Sequence, residues 1–381
     1  MSSIGIELGI INKSLLFPLH RLSIVKANNL RLYKDILSDY LENALSTGVT
    51  KNGLERALLN INDLPGISAV STIEPGVEEG SSKIILNVVE DDLVSGSITI
   101  DNHGNRYTAK QRNTIKIDFN NPSKIGDKLS ITKTFNAGEK FDFTQFDYEV
   151  PVGQSGFRAF ASASRLEFEI GKELRTNPVS LGNADTFEVG VKYPIQRTNN
   201  QSVFLRTSIE KKEIYNETTG VLTNDKTLEN AKIGFDFEGK NIFQESSLTG
   251  VSVSGIFGDL DLSKVNSDYL NDQRANGPKT HGDFNKVVLD FYHIHKFTDK
   301  INFKYYGSLQ HASKNLDSSE KFSLGGVSGI RAYPSGEASG DEGRKLSFEI
   351  QYDLSKPDAD FDLIGTLFYD YGTIRQYKDS S

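Results

Sequence analysis

From Leu93 onward the chain consists of short segments in which apolar and polar residues alternate. Turns rich in Gly, Asn, Asp, Ser and Pro separate these segments. In the segment NTIKIDF, for example, Ile115, Ile117 and Phe119 fall on one face of an extended chain. A period of two is typical of β-strands. About thirteen such segments occur up to Tyr371, mostly with the roughly ten residues of a tilted membrane-spanning strand. The pattern restricts this part of the chain to an all-β fold.

Two kinds of all-β protein fit this alternation: a transmembrane barrel and a soluble binding protein. The faces opposite the apolar ones are rich in Lys, Asp, Glu and Gln, and aromatic residues gather near the segment ends. A negative mean hydropathy of -0.40 does not decide between the two, because lipid-facing and lumen-facing residues of a barrel average out as polar. The polar inner faces and the aromatic segment ends favour the barrel, although Trp is absent.

Residues 1–92 show a different pattern, which predicts a small α+β module. The segment Leu19–Lys26 has the pattern of a strand, and Leu30–Leu45 has apolar residues at helical spacing. Thr50 is a candidate N-cap for a second helix that ends before Pro65. Two strands follow, with the sequences ISAVSTIEPG and SKIILNVVE. The predicted order is therefore β-α-α-β-β, and the whole chain is predicted to be mainly β.

A glycine-rich stretch, Phe322–Gly343, lies between two alternating segments and is too long for a simple hairpin turn. It contains more apolar residues than a disordered segment of this composition would carry. We therefore expect a loop over residues 313–345 that packs back against another part of the protein, with glycines allowing close backbone approach. Its candidate functional residues are Gly325, Gly326, Ile330, Arg331 and Tyr333.

Several functional classes lack support in the sequence. Cysteine is absent, which excludes disulfides and thiolate chemistry. No P-loop, GxSxG or HExxH pattern occurs. His293 and His295 lie two residues apart but have no obvious third metal ligand, and the segment around Asp341 and Glu342 lacks the ligand spacing of a calcium loop. We expect no enzyme activity, no cofactor, no metal and no nucleic-acid partner.

Several segments resemble, in order, the outer-membrane transporters of two-partner secretion (TpsB, or haemolysin secretion/activation proteins). Leu54–Gly76 resembles the family's second POTRA domain, and Asp101–Arg112 and Tyr148–Arg158 resemble two of its barrel hairpins. Phe322–Gly343 is similar to the loop that enters the barrel lumen, whose tip reads Val-Arg-Gly-Tyr/Phe. Phe368–Gly372 is similar to the strand motif Phe-x-Asp-x-Gly that receives the loop arginine.

The resemblance implies a POTRA domain over residues 1–92, in the periplasm, and an antiparallel barrel over residues 93–381 in the bacterial outer membrane. Family barrels have about sixteen strands, an even number as in other single-chain outer-membrane barrels, whereas about thirteen strand-like segments occur here. We therefore expect a barrel that is incomplete at the C-terminus, and an interior piece of a longer protein, since Met1–Leu16 also lacks signal-peptide features. The implied partners are a secreted exoprotein and membrane lipid, with a monomeric barrel. A barrel-assembly factor of the wider BamA-like superfamily is the alternative.

The resemblance also assigns roles within the loop. It makes Arg331 a latch to the barrel wall and Asp370 its expected acceptor, since a guanidinium binds carboxylates through two hydrogen bonds. Glu349 falls on the same lumen-facing side of its own predicted strand. Ala332 stands where the family usually has Gly; if that position needs a positive φ, alanine costs roughly 1 kcal/mol or more.

Overall fold

The computed structural model describes residues 23–26, 30–45, 50–75, 82–136, 138, 140–355 and 361–379. Residues 1–22, which include the region searched for a signal peptide and the start of the predicted first strand, lie outside this set. Among the described residues, no helix is long and apolar enough to cross a membrane. The strands in the described ranges form a three-stranded sheet, a thirteen-stranded sheet and one two-stranded ribbon.

The three-stranded sheet and two helices make up a small α+β unit. Its elements are β1 (Ser23–Lys26), α1 (Lys34–Leu45), α2 (Lys51–Asn62), β2 (Ile67–Pro75) and β3 (Ser82–Glu90). The strand order is β1-β3-β2, with β1 parallel and β2 antiparallel to β3. Both helices cover one face of the sheet, because Leu41, Leu58, Ile61 and Leu86 belong to one buried core. The predicted β-α-α-β-β order is confirmed.

The helix ends follow from hydrogen bonds of named side chains. The Thr50 hydroxyl accepts the Gly53 amide at 3.0 Å, which confirms the predicted N-cap. The prediction that α1 begins at Leu30 is wrong, since the helix begins at Lys34. The Glu90 carboxylate accepts the backbone amides of Arg31 and Leu32, at 2.5 and 3.2 Å. These bonds tie the preceding residues to β3 and keep them outside the helix.

The thirteen-stranded sheet is antiparallel throughout, and each strand pairs with its neighbour in sequence. This confirms the predicted number of alternating segments. Its strands are β4 (Val94–Asp101), β5 (Arg112–Asn120), β6 (Lys128–Phe135), β7 (Phe141–Pro151), β8 (Arg158–Glu169), β9 (Leu181–Arg197), β10 (Gln201–Thr218), β11 (Val221–Lys240), β12 (Ser247–Asp261), β13 (Gly282–Lys296), β14 (Ile301–Ala312), β17 (Glu342–Asp353) and β18 (Ile364–Arg375).

The long connection between β14 and β17, residues 313–341, is called the lumenal loop below. It contains the two-residue strands β15 (Phe322–Ser323) and β16 (Ser339–Gly340), which pair with each other. The predicted loop end at residue 345 is wrong. Strand β17 begins at Glu342, because residues 342–345 pair with residues 372–375 of β18.

The small unit and the lumenal loop lie at opposite ends of the large sheet. The small unit contacts the connections between β5 and β6 and between β9 and β10. There, the Tyr33 amide donates to the Lys124 carbonyl at 3.1 Å, and the Asn199 amide donates to Glu55 at 2.6 Å. We call this the near end. The lumenal loop leaves from the far end, as does the β12–β13 connection with helix α3 (Asn266–Gln273).

The large sheet curls around the lumenal loop. The loop reaches β18 through Arg331 and Asp370, and it reaches the β4–β5 connection through Ser335, whose hydroxyl donates to the His103 carbonyl at 2.7 Å. Because β4 and β18 stand at the two ends of the strand order, the wall must bend so that both approach the same loop. The space on its concave side is called the lumen.

The two faces of the curved sheet differ in chemistry. Charged and polar side chains such as Ser347, Glu349 and Asp370 point into the lumen, where the loop contacts them. The opposite face carries exposed apolar side chains on almost every strand, including Phe146, Phe187, Ile209, Phe235, Phe257, Phe348 and Leu367. An apolar outer face around a polar interior reverses the arrangement of a soluble protein, and it is typical of a membrane barrel.

Candidate functional site

The tip of the lumenal loop is a tight turn held by its own backbone. The Ile330 amide donates to the Leu324 carbonyl at 2.7 Å, and the Gly326 amide donates to the Tyr333 carbonyl at 3.0 Å. Gly326 has a φ of 96°, a conformation that favours glycine. A side chain on Gly325 would place its Cβ 2.2 Å from the Pro334 carbonyl oxygen. Both glycines are therefore required for the fold of the tip.

Ala332 does not carry the strain that a positive φ would impose. Within the described part of the chain, the positive-φ residues of this loop are Gly326 and Gly336, and Ala332 is not among them. An alanine at this position therefore adopts an ordinary backbone conformation, and the conditional cost of about 1 kcal/mol does not arise.

Arg331 lies at the centre of the site and contacts three lumen-facing side chains. Its Nε donates to Asp370 Oδ2 at 2.9 Å, and its Nη2 donates to Asp370 Oδ1 at 2.5 Å. The Arg331 backbone amide also donates to Asp370, at 3.0 Å. Nη1 donates to Glu349 Oε1 at 2.5 Å, and Nη2 donates to Ser347 Oγ at 2.7 Å. The structure thus brings together three of the candidate residues, Arg331, Asp370 and Glu349.

Burial makes this cluster energetically important. The Asp370 side chain is only 5% exposed, and Arg331 covers it. The guanidinium also lies 3.7 Å from the centre of the Phe368 ring. The hydrogen bonds to Asp370 raise the pKa of Arg331 and outweigh burial, which lowers it. Removing the arginine would leave an enclosed carboxylate without its partner, at a cost on the order of 2–3 kcal/mol.

Apolar contacts fix the loop beside this ion pair. Ile330 is buried, and it lies with Leu324 over Gly372 of β18. A Cβ at position 372 would stand 2.5 Å from Leu324 Cδ1 and 3.0 Å from Ile330 Cδ1. The absence of a side chain at Gly372 therefore gives the loop room to lie against the strand. The predicted residue Tyr333 contributes through its backbone, while its side chain is half exposed.

Sequence reasoning missed the charged groups at the base of the loop. Asp341 is fully buried and accepts the amides of Leu316 and Lys378, at 3.1 and 2.8 Å. Lys321 Nζ lies 2.9 Å from the same carboxylate. Asp317 and Glu320 bind lysines of the wall in the first part of the loop. The partners are far apart in the sequence, so no local pattern identifies them.

A cavity of about 920 Å³ separates the loop tip from the small unit. It extends from Asp63, at the end of α2, to Arg331. Charged and aromatic side chains line it, including Arg197, Glu238 and Tyr292. Charged and apolar groups thus share its lining, and the cavity connects the near end of the lumen with Arg331.

The histidine pair does not form a metal site among the residues that the structure describes. His293 Nδ1 lies 2.8 Å from Thr249 Oγ1, and the ring contacts Phe243 and Tyr305. No group of three or more metal-ligating side chains occurs in the described ranges.

Comparison with known proteins identifies relatives of the chain. The family model described as haemolysin secretion/activation protein ShlB/FhaC/HecB matches residues 80–381. The heme/hemopexin transporter protein HuxB of Haemophilus influenzae (strain 86-028NP) is 27% identical over 333 residues, which are 87% of this chain and 58% of the relative. The outer membrane transporter CdiB of Dickeya dadantii is 23% identical over 314 residues, covering 78% of this chain and 53% of the relative. The chain thus spans little more than half the length of these relatives.

Solved structures share the fold. CdiB from Escherichia coli superposes with a TM-score of 0.74 at 20% sequence identity. The match covers 93% of the present chain and 70% of the CdiB chain. BamA from Haemophilus ducreyi, lacking POTRA domains 1–3, gives a TM-score of 0.57 at 11% sequence identity. This match covers 93% of the present chain and 72% of the BamA chain.

Proposed function

The chain belongs to the haemolysin secretion/activation family ShlB/FhaC/HecB, and from this membership we propose that it is the wall and latch of an outer-membrane transporter that exports an unfolded partner protein. The partner enters from the periplasm at the near end, passes the latch in the lumen, and leaves at the far end. The observation that carries the proposal is the Arg331 cluster, a loop tied inside a polar lumen by a few charged bonds.

The small unit is proposed to be a POTRA domain that captures the partner. Its strand order leaves β2 at an edge, with an unpaired side. An extended polypeptide can add to such an edge through main-chain hydrogen bonds, which demand little of its sequence. Val70 and Ile73 on β2 are exposed and could contact side chains of the added strand. This mode suits a partner that is still unfolded.

The location of the small unit supports delivery into the lumen. Arg197 of the wall donates to both carboxylate oxygens of Asp63, at 2.9 and 2.6 Å. Asp63 also lines the cavity that leads to Arg331. The captured chain would therefore be held beside the opening of the lumen. Folding of the partner outside the cell would pull the rest of the partner chain through the lumen, so this mode of export requires no nucleotide site.

The capture role predicts an effect of charge on the edge strand. Val70→Lys in the full-length protein should lower secretion of its partner several-fold, because lysine on an exposed edge opposes strand addition. Val89→Lys is the matched control, since Val89 is an exposed valine on the central strand β3. Secreted and retained partner are measured in the same cells. Equal secretion by the Val70→Lys variant and the wild type would contradict the capture role.

A further inference from the structure

The first arm of the lumenal loop, residues 313–321, carries two buried carboxylates. The Asp317 side chain is 10% exposed and the Glu320 side chain is 4% exposed. Asp317 caps the short 3-10 turn Ser318–Glu320 by accepting the Ser319 amide at 2.9 Å. The turn thereby directs both carboxylates at the wall.

The wall facing them is lined by lysines on three strands. Lys212 Nζ of β10 lies 2.6 Å from Glu320 Oε1, and Lys286 Nζ of β13 lies 2.7 Å from Glu320 Oε2. Lys226 Nζ of β11 lies 2.6 Å from Asp317 Oδ2. Lys286 also donates to the Glu320 carbonyl at 2.9 Å. Each loop carboxylate is thus bound by ammonium groups on the wall.

The charges of the wall do not balance without the loop. A fourth lysine, Lys232, pairs with two glutamates of the wall, Glu210 at 2.6 Å and Glu188 at 3.4 Å. Four lysines against two glutamates leave two positive charges, and the two loop carboxylates neutralise this excess. Buried ammonium groups without a partner are costly. The wall therefore requires anionic groups at this level of the lumen.

An apolar cover excludes water from the same region. Leu316 of the loop is buried against Leu228, Leu260 and Phe284 of the wall. Ion pairs beside such a cover act in a lower effective dielectric than exposed ones and are stronger. The loop arm is thus held by charge and by packing together.

We propose that these lysines form a carboxylate-binding site, occupied by Asp317 and Glu320 while the loop is in place and open to acidic side chains of an extended polypeptide in transit. The second part rests on the proposed export function. At the loop tip, the Arg331 guanidinium binds carboxylates of the wall. In the first arm the charges are reversed, since the loop carboxylates bind lysines of the wall. An acidic segment in the lumen competes for the lysines and releases the arm.

Labelling of a buried loop residue tests the proposal. The chain has no cysteine, so Leu316→Cys introduces a single reactive group in it. In the full-length protein in detergent, maleimide labelling at position 316 should be slow. Adding Glu320→Gln should accelerate labelling about tenfold. An oligoglutamate peptide added to the Leu316→Cys protein that keeps Glu320 should accelerate labelling to the same extent. The peptide effect should weaken at high salt and disappear in a Lys212→Gln, Lys286→Gln variant.

Matched controls separate the site from general loosening. Glu213→Gln removes a carboxylate that pairs with Lys211 at 2.8 Å on the outer face of β10, the strand that carries Lys212. This change should leave the labelling rate at position 316 unchanged. Oligoglutamine should have no effect. If Glu320→Gln disturbs folding, detected as loss of the heat-modifiable gel shift, the exchange of Lys286→Glu with Glu320→Lys should restore folding and slow labelling.

Two results would overturn the proposal: labelling of the Glu320→Gln variant at the unmodified rate, and equal effects of oligoglutamine and oligoglutamate. The labelling rate does not depend on secretion. Loss of the capture or export role would therefore leave this measurement interpretable.

Discussion

At Arg331, the planar guanidinium suits a site that strand pairing has already arranged. Ser347 pairs with Asp370 and Glu349 pairs with Phe368 across β17 and β18, so the acceptors stand side by side on the lumen face. Arginine presents donors in a rigid fork, whereas a lysine ammonium is a compact point charge. An Arg331→Lys change would keep the charge and lose the simultaneous contacts with Asp370 and Glu349.

Gly372 gives a prediction about the same contact from the side of the strand. Gly372→Val should displace the loop tip, because even its Cβ would stand 2.5 Å from Leu324 Cδ1. We expect a loss of stability of about 1–3 kcal/mol, the usual range for overpacking. The loss would appear as a lower temperature for the heat-modifiable gel shift.

Gly365→Val provides the control on the same strand. A Cβ at position 365 would lie 3.4 Å from Leu354 Cδ1, an ordinary contact distance. This variant should unfold close to the wild-type temperature. Equal losses at positions 365 and 372 would mean that valine weakens β18 itself, and that contact with the loop is not the cause.

The family resemblance identified Asp370, and the alternation of side chains between the two faces of a strand placed Glu349 on the same lumen-facing side. Once β17 and β18 were recognised, every second residue had to face the lumen. The same reasoning could not pair Glu320 with Lys286. Those residues meet only because the loop folds back across several strands, and no period in the sequence records that fold.

Among the elements, α2 connects the small unit to the wall through Glu55 in its first half and through Asp63 at its C-cap. Asp63 follows the helix and binds Arg197 of β9, while Glu55 accepts the Asn199 amide in the β9–β10 connection at 2.6 Å. These polar contacts join two bodies that have separate apolar cores. The interface resembles a docking contact between domains, which depends on few bonds.

Asp63→Asn should therefore loosen the docking of the small unit without unfolding it. A partly exposed, bidentate ion pair is worth about 1 kcal/mol. Amide exchange at Asn199 should accelerate roughly fivefold for that change in opening free energy. Asp185→Asn is the control, because it removes an exposed partner of Arg165 on the outer face. This variant should leave the amide exchange rate at Asn199 unchanged. Unchanged exchange at Asn199 in the Asp63→Asn variant would contradict this account of the interface.

The elements themselves were largely predictable, and their ends less so. Thr50 marks the start of α2 through its own side chain, so the sequence shows it locally. The start of α1 depends on Glu90, which is distant in sequence, and the end of the lumenal loop depends on pairing with β18. Boundaries set by distant partners cannot be read from local periodicity.

For the whole molecule, alternation predicted the number of strands, and the family resemblance implied their antiparallel order. Alternation could not predict that the wall bends around the loop, since this depends on contacts such as Ser335 with His103. Nor could it show that the small unit docks on the β5–β10 side of the near end. Alternation is local, whereas curvature and docking arise from contacts between residues that are far apart in the sequence.

We propose that export depends on the lumenal loop being held in place by Arg331. The decisive measurement is secretion of the partner by the full-length protein carrying Arg331→Ala, in cells where the variant reaches the membrane in wild-type amount and keeps its heat-modifiable gel shift. We predict that secretion falls about tenfold, equivalent to roughly 1.4 kcal/mol, because Asp370 and Glu349 lose their shared partner and the loop leaves its position. Secretion at the wild-type rate would contradict the account.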